Sequence, residues 1–150
     1  MTEIALRQAE SADAPAIAEI HALSFDEPWS ADSVAALMAG PSGYGVIAAC
    51  GGVDIGFALL QCVPPDSELL SVGVRPNMRR IGIAQAVLRR AATDLAQRGA
   101  ATMFLDVATD NPGAIALYRK LGFRDISVRP RYYRGKVDAI VMQAGLSSVV

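Results

Sequence analysis

Hydrophobic and polar positions along the chain change period often enough to mark out most of the secondary structure. Over residues 4–8, Ile4, Leu6 and Gln8 alternate with Ala5 and Arg7, which predicts a short strand. Ser11 or Asp13 can cap a helix that takes Pro15 in its first turn and turns Ile17 and Ile20 inward. Pro28, within FDEPWS, breaks that helix, and Ser30 can cap a second one running toward Ala39. After a loop at Gly40, Pro41 and Gly43, two apolar runs at 44–50 and 54–62 meet at Gly51-Gly52, a tight-hairpin pattern. Pro64-Pro65 ends the second run, and 67–74 is the next strand.

The period then becomes helical. Beyond Ala84, Val87, Leu88, Ala91 and Leu95 form one face, with Gln85, Arg89, Arg90 and Asp94 on the other. Gly99 follows that helix and 102–108 reads as a buried strand. Asn111-Pro112 opens another helix, cap then proline, with Ala114, Leu117, Tyr118 and Leu121 inside and Gly122 at its end. Strands at 123–129 and 138–144 flank a loop bearing Tyr, Arg and Gly, and GLSSVV is expected to be a loose tail. Strand-helix-strand units around hairpins predict an α/β chain, a mixed sheet in one layer with helices on both faces.

Composition narrows this picture. With 150 residues, 52% of them hydrophobic, a single domain spanning 1–150 with a substantial core is expected. Fourteen basic against fifteen acidic residues leave a net charge of −1, so no global field favours nucleic acid or an anionic membrane. Any polyanion must be held locally. Cys50 and Cys62 lie in apolar stretches without CxxC or Cys/His spacing, so buried free thiols are expected, with no disulfide and no metal. MTEIALRQAE lacks the basic-then-apolar pattern of a signal peptide, and no apolar run approaches the roughly 18 residues of a membrane span. A cytoplasmic protein is the expectation. His21, the only histidine, has no Ser or Cys partner nearby in sequence and is read as a packing or surface residue without a catalytic role.

The candidate chemistry centres on residues 72–84, VGVRPNMRRIGIA, where a β-branched run gives way through paired arginines to a helix. The first amides of a helix lack internal carbonyl partners and sit at the positive end of its dipole, so backbone alone can bind a phosphate. Gly82 removes a side chain that would keep a ligand away, and Arg79 and Arg80 add donors that match phosphate oxygens. The plain alternative is a solvated basic turn before an ordinary helix. Neither G-x-x-x-x-G-K-[S/T] nor G-x-G-x-x-G is present.

The spacing Arg79-x-x-Gly82-x-Ala84 resembles the pyrophosphate signature [Gln/Arg]-x-x-Gly-x-[Gly/Ala] of the GCN5-related N-acetyltransferases. SELLSVGV, FLDVATDNPGAIALYRKLGF and RPRYYRGKVDAIVM resemble, in order, the strand before that loop, the following strand and helix, and the closing hairpin of the same family. With FDEPWS these cover nearly the whole chain, and they are most similar to the branch that acetylates the N-terminal alanine of a ribosomal protein. The resemblance implies a mostly antiparallel sheet with splayed central parallel strands, and acetyl-coenzyme A as co-substrate. It assigns donor binding to Val72, Gly73, Val74, Arg79, Arg80, Ile81, Gly82, Ile83, Ala84, Asn111 and Tyr118.

The implied reaction is attack of a neutral amine on the acetyl thioester. The resemblance gives polarisation of the carbonyl to a backbone amide near Val72, and the leaving sulfur to Tyr118. A model thiol has pKa about 8.5 and tyrosine about 10, so Tyr118 is expected to serve by hydrogen bonding as much as by proton transfer. The base of that branch is a Glu, and Asp106 stands at its position. One methylene fewer shortens the reach by roughly 1.5 Å and favours a bridging water. Glu68 aligns with the base of other branches, so both carboxylates stay in view.

The acceptor follows from magnitudes and from likeness together. A peptide α-amine is easier to free at neutral pH than lysine, by about 3.4 kcal/mol, which suits a weak or water-relayed base. The resemblance implies a peptide N-terminus, on a small-subunit ribosomal protein, as the expected partner, and this magnitude agrees with it. Trp29 is either a core anchor or, by resemblance of its Pro-Trp-Ser, part of the acceptor groove. Tyr132 and Tyr133 are expected to close over a peptide from the hairpin loop, or else to pair across strands. Acetylation of a small amine or antibiotic, and a non-catalytic acetyl-coenzyme A sensor, are the competing readings.

Overall fold

A computed structural model describes residues 3–133 and 135–150. In chain order the elements are β1 (Ile4–Gln8), α1 (Ala14–Ser24), α2 (Ala31–Ala39), β2 (Gly43–Cys50), β3 (Val53–Val63), β4 (Asp66–Val74), α3 (Ile83–Gln97), β5 (Thr102–Ala108), α4 (Pro112–Lys120), β6 (Arg124–Tyr133), β7 (Val137–Gly145) and α5 (Leu146–Val149). The strands form one sheet in the order β1-β2-β3-β4-β5-β7-β6, antiparallel throughout except for the parallel β4–β5 pair. The expected mixed, mostly antiparallel sheet is present.

Both faces of the sheet are covered, which explains the unbroken apolar runs of β2 and β3. Val46, Ala48, Ala58 and Leu60 pack with Val87, Leu88, Ala91 and Leu95 of α3, while Ile47, Phe57 and Leu59 pack with Ile17 and Ile20 of α1 and Val34 of α2. Leu88 and Leu95 are fully buried, so truncating either to alanine costs about 2–5 kcal/mol. Gly51 and Gly52 both have positive φ, 60° and 81°, the backbone of a primed hairpin turn.

β4 and β5 part soon after they begin to pair. They pair only at Asp66–Thr102, Ser67–Met103 and Glu68–Phe104. On its other side β4 pairs with β3 through Val74, but the register shifts between Leu59–Ser71 and Leu60–Leu69, leaving Leu70 as a bulge. A bulge bends its strand and increases the local twist, and here it carries residues 69–74 away from β5.

Local details differ from the sequence reading in three places. Asp13 precedes α1 as expected, but its carboxylate does not cap it; it accepts from the Glu10 amide at 2.8 Å and from both terminal nitrogens of Arg7 at 2.7 Å, and this pairing holds its pKa below the usual value. The C-terminus is not loose. The Leu146 amide donates to Ala101 O at 2.9 Å, and Leu146 and Val149 are buried against the α3 side of the sheet, because the apolar i, i+3 pair outweighs the polar Ser147 and Ser148. Cys62 is buried but Cys50 only half so, near the end of β2; both are free thiols. No helix among the described residues is long and apolar enough to cross a membrane.

Candidate active site

The loop after β4 runs through a short 3-10 turn, Pro76–Met78, into Arg79, Arg80, Ile81 and Gly82. Gly82 precedes the first residue of α3 with φ 88°, where an L side chain is strained, and a Cβ there would point into open space. The first amides of α3, at Ile83, Ala84 and Gln85, lie beyond the reach of intrahelical carbonyls, as at any helix start. Ile81 is 61% exposed and Ile83 buried, so the loop offers backbone rather than packing. The two arginines differ. Arg79 Nε donates to Val74 O at 3.0 Å and its Nη2 to Ser24 Oγ at 3.2 Å, so it braces the loop against β4 and α1. Arg80 takes a positive φ of 66° and is exposed. Donors, a positive helix end and an open approach make this a fitting cradle for a pyrophosphate.

Both candidate carboxylates lie on the opposite face from α3. Met103, Leu105 and Val107 turn toward α3, so the alternation of β5 sends Phe104 and Asp106 to the other side. Glu68 and Asp106 line one cavity of about 290 Å³, with Phe104, Val141 and Arg129. The Asp106 side chain is 19% exposed and lies 3.7 Å from the guanidinium of Arg129. That guanidinium also covers the Tyr132 ring at 5.2 Å.

Tyr133 adjoins Asp106, and Tyr118 in turn interacts with Tyr133. Tyr118 is buried in α4, in edge contact with Phe123 at 5.9 Å, and burial pushes its pKa up to about 12, with Tyr133 adding to the shift. Tyr133 is likewise pushed up to about 12 by burial, then by the charge of Asp106 and by Tyr132. Both phenols therefore keep their protons at neutral pH and remain hydrogen-bond donors. Asn111 caps α4 as expected, its Oδ1 accepting from the Ala114 amide at 3.2 Å.

Tyr132 and Tyr133 are not loop residues, and they are no cross-strand pair. They end β6, beyond a register shift between Arg129 and Tyr133, and meet each other edge-on at 5.1 Å. Arg131 causes the irregularity, with φ 52° and its amide donating to Asp138 Oδ1 at 2.9 Å. Arg134, the next residue of the expected loop, lies outside the described residues. Trp29 is half-buried beside the α1–α2 cluster and does not line the carboxylate cavity.

Sequence reasoning missed two groups. Arg129 joins Asp106 from β6, and only the RPRYY stretch hinted at it. His21, expected to be a packing or surface residue, is buried with its Nε2 3.0 Å from Ser71 Oγ, a serine partner fifty positions downstream. No local spacing could reveal that pair.

The sheet thus splits between two parallel strands, with a glycine-led helix start on one face and Glu68 and Asp106 lining one cavity on the other. The chain belongs to the acetyltransferase (GNAT) family, whose model matches residues 14–123, and is an acyltransferase. Over 141 residues, 92% of this chain and 95% of the relative, it is 33% identical to the [ribosomal protein bS18]-alanine N-acetyltransferase of Escherichia coli K12. The crystal structure of the E. coli ribosomal-protein-S18-alanine N-acetyltransferase superposes with a TM-score of 0.89 at 31% identity, covering 96% of this chain and 94% of that one. The N-alpha-acetyltransferase RimI of Mycobacterium tuberculosis is 37% identical over 139 residues, 88% of this chain and 86% of the relative. The fold extends to yncA of Salmonella typhimurium, solved with its cofactor acetyl-CoA, at TM-score 0.82 and 24% identity over 96% of this chain and 94% of that one.

Proposed function

We propose that the protein transfers an acetyl group from acetyl-coenzyme A to the α-amine of an N-terminal alanine, on a small-subunit ribosomal protein in the cytoplasm. The observation that carries this reading is the shared cavity: Glu68 and Asp106 come from the two strands that separate, and both face away from the α3 cradle. Donor and acceptor can then approach the split from opposite faces. The E. coli relative is named for the alanine of a ribosomal protein, and the M. tuberculosis relative for N-alpha-acetylation.

In this reading the α3 amides of Ile83 and Ala84, with Ile81, Gly82 and Arg80, hold the pyrophosphate, and Arg79 keeps the loop in shape. Val72, Gly73 and Val74 offer the free edge of β4 to the pantetheine arm, beside Asn111. Asp106, directly or through a water shared with Glu68, takes a proton from the acceptor ammonium. The freed nitrogen attacks the thioester carbon, the amide of Val72 holds the oxygen as charge builds on it, and as the carbon–sulfur bond breaks the nitrogen's second proton passes to the sulfur, so that coenzyme A leaves as thiol. Tyr118, protonated up to about pH 12, donates a hydrogen bond to the departing sulfur. Arg129 neutralises part of the charge that two nearby carboxylates concentrate. Trp29, Tyr132 and Tyr133 border the peptide.

The test is product mass after incubation with acetyl-coenzyme A and an Ala-initiated peptide, beside a polyamine panel. An increase of one acetyl group at the peptide N-terminus is expected. Acetylated polyamine with unmodified peptide would give the site to small amines, and cofactor binding without turnover on any amine would make it a sensor.

A further inference from the structure

His21 and Ser71 take no part in the reaction above, yet they join its two halves. His21 is 2% exposed and Ser71 8%. The Trp29 amide donates to His21 Nδ1 at 3.3 Å, and His21 Nε2 lies 3.0 Å from Ser71 Oγ. Because Nδ1 accepts, the neutral ring carries its proton on Nε2 and donates to Ser71. Burial lowers the His21 pKa from its ordinary 6.5, which keeps Nδ1 free to accept at neutral pH. Phe25, Phe57 and Trp29 box the ring, with centroids 4.3, 5.6 and 6.2 Å away.

Each contact reaches a segment that the transfer uses. Ser71 directly follows the Leu70 bulge, on the part of β4 that has left β5. Trp29 stands in the turn between α1 and α2. One helical turn below His21, Ser24 receives Arg79 of the phosphate loop. We infer that His21 is a positioning residue that ties the Trp29 loop to the splayed segment of β4, setting the path of the acceptor relative to the carbonyl-polarising backbone. A loop already anchored to the strand loses less conformational freedom when a peptide binds. The inference rests on the peptide-acceptor reading.

Three variants test it. His21→Phe keeps an aromatic ring and removes both contacts; His21→Asn offers a carbonyl oxygen near the Nδ1 position; Ser71→Ala removes a single hydroxyl and carries the test if His21→Phe does not fold. Wild type is assayed first on the Ala-initiated peptide. If it acetylates polyamines and no peptide, the proposed function fails and this inference falls with it, before any variant matters. With peptide turnover in hand, His21→Phe is expected to raise the peptide KM roughly tenfold, equivalent to about 1.4 kcal/mol, while kcat and the acetyl-coenzyme A Kd hold. Ser71→Ala should move KM the same way by less, and His21→Asn should recover most of the loss. Trp29 is the only tryptophan, so its emission gives a second readout independent of turnover. It should shift to longer wavelength in His21→Phe and stay near wild type in His21→Asn. An unchanged KM in both His21→Phe and Ser71→Ala would overturn the inference, as would kcat and cofactor affinity falling in step with KM.

Discussion

The proposed donor and acceptor sides of the split are built in different ways. On the donor side, thirteen consecutive residues, 72–84, run from the free edge of β4 through a left-handed Gly82 to the start of α3, and most of their groups are backbone. On the acceptor side, Glu68, Asp106, Arg129 and Tyr133 come from three strands, while His21 and Trp29 come from α1 and the turn after it. A backbone site is specified locally and tolerates side-chain variation around it. A side-chain site depends on the whole sheet being assembled, and it is where acceptor selectivity can change without touching donor binding.

The largest effect that separates the two is expected from Asp106→Asn combined with Glu68→Gln. Turnover should fall by roughly 10²–10⁴-fold, with acetyl-coenzyme A affinity unchanged by calorimetry. Full activity in the double variant would remove both carboxylates from the reaction. Next comes Tyr118→Phe, expected to lower kcat by on the order of 10²-fold. Since Tyr118 holds its proton up to about pH 12, the wild-type rate should show no decline from its ionisation between pH 7 and about 10; an alkaline limb in that range that vanishes in Tyr118→Phe would contradict its buried, neutral state.

Smaller differences lie within the donor loop. Arg80→Ala should weaken acetyl-coenzyme A binding by about 1.5 kcal/mol and leave the melting temperature alone, whereas Arg79→Ala should lower both, because it also loses Val74 O and Ser24 Oγ. Equal melting temperatures for the two variants would mean that the brace on β4 contributes nothing. The smallest effect concerns pH. His21 has a folded pKa below its ordinary 6.5, so the unfolded chain binds a proton first as pH drops. Its contribution to stability is complete above about pH 6.5 and is lost as pH falls through the depressed folded value. Thermal unfolding between pH 7.5 and 5.5 should therefore decline more in wild type than in His21→Phe, and parallel curves would argue against a neutral buried ring.

Legibility followed the same division. The strand at 102–108, the Asn111 cap and the Gly51-Gly52 turn were readable because periodicity and turn chemistry act within a few residues. The turn at Gly82 into α3 was readable for the same reason. Three features escaped for want of a local signal. The bulge at Leu70 arises from register against β3 and leaves no mark in SELLSVGV. The burial of α5 depends on a pocket supplied by α3 and β7. Serine and histidine fifty positions apart become neighbours only once α1 lies across β4.

The separation of β4 and β5 also bears on how the protein survives between encounters. Beyond Glu68, each strand has an edge that the other does not pair, so the middle of the sheet contains the kind of open boundary usually met only at its rims. A thioester arm lying there would act as a surrogate strand, and anything that binds only the native state adds RT ln(1 + [L]/Kd) to its stability. At a hundredfold excess over Kd that is about 2.7 kcal/mol. Supply of the donor would then govern the lifetime of the folded catalyst as well as its rate.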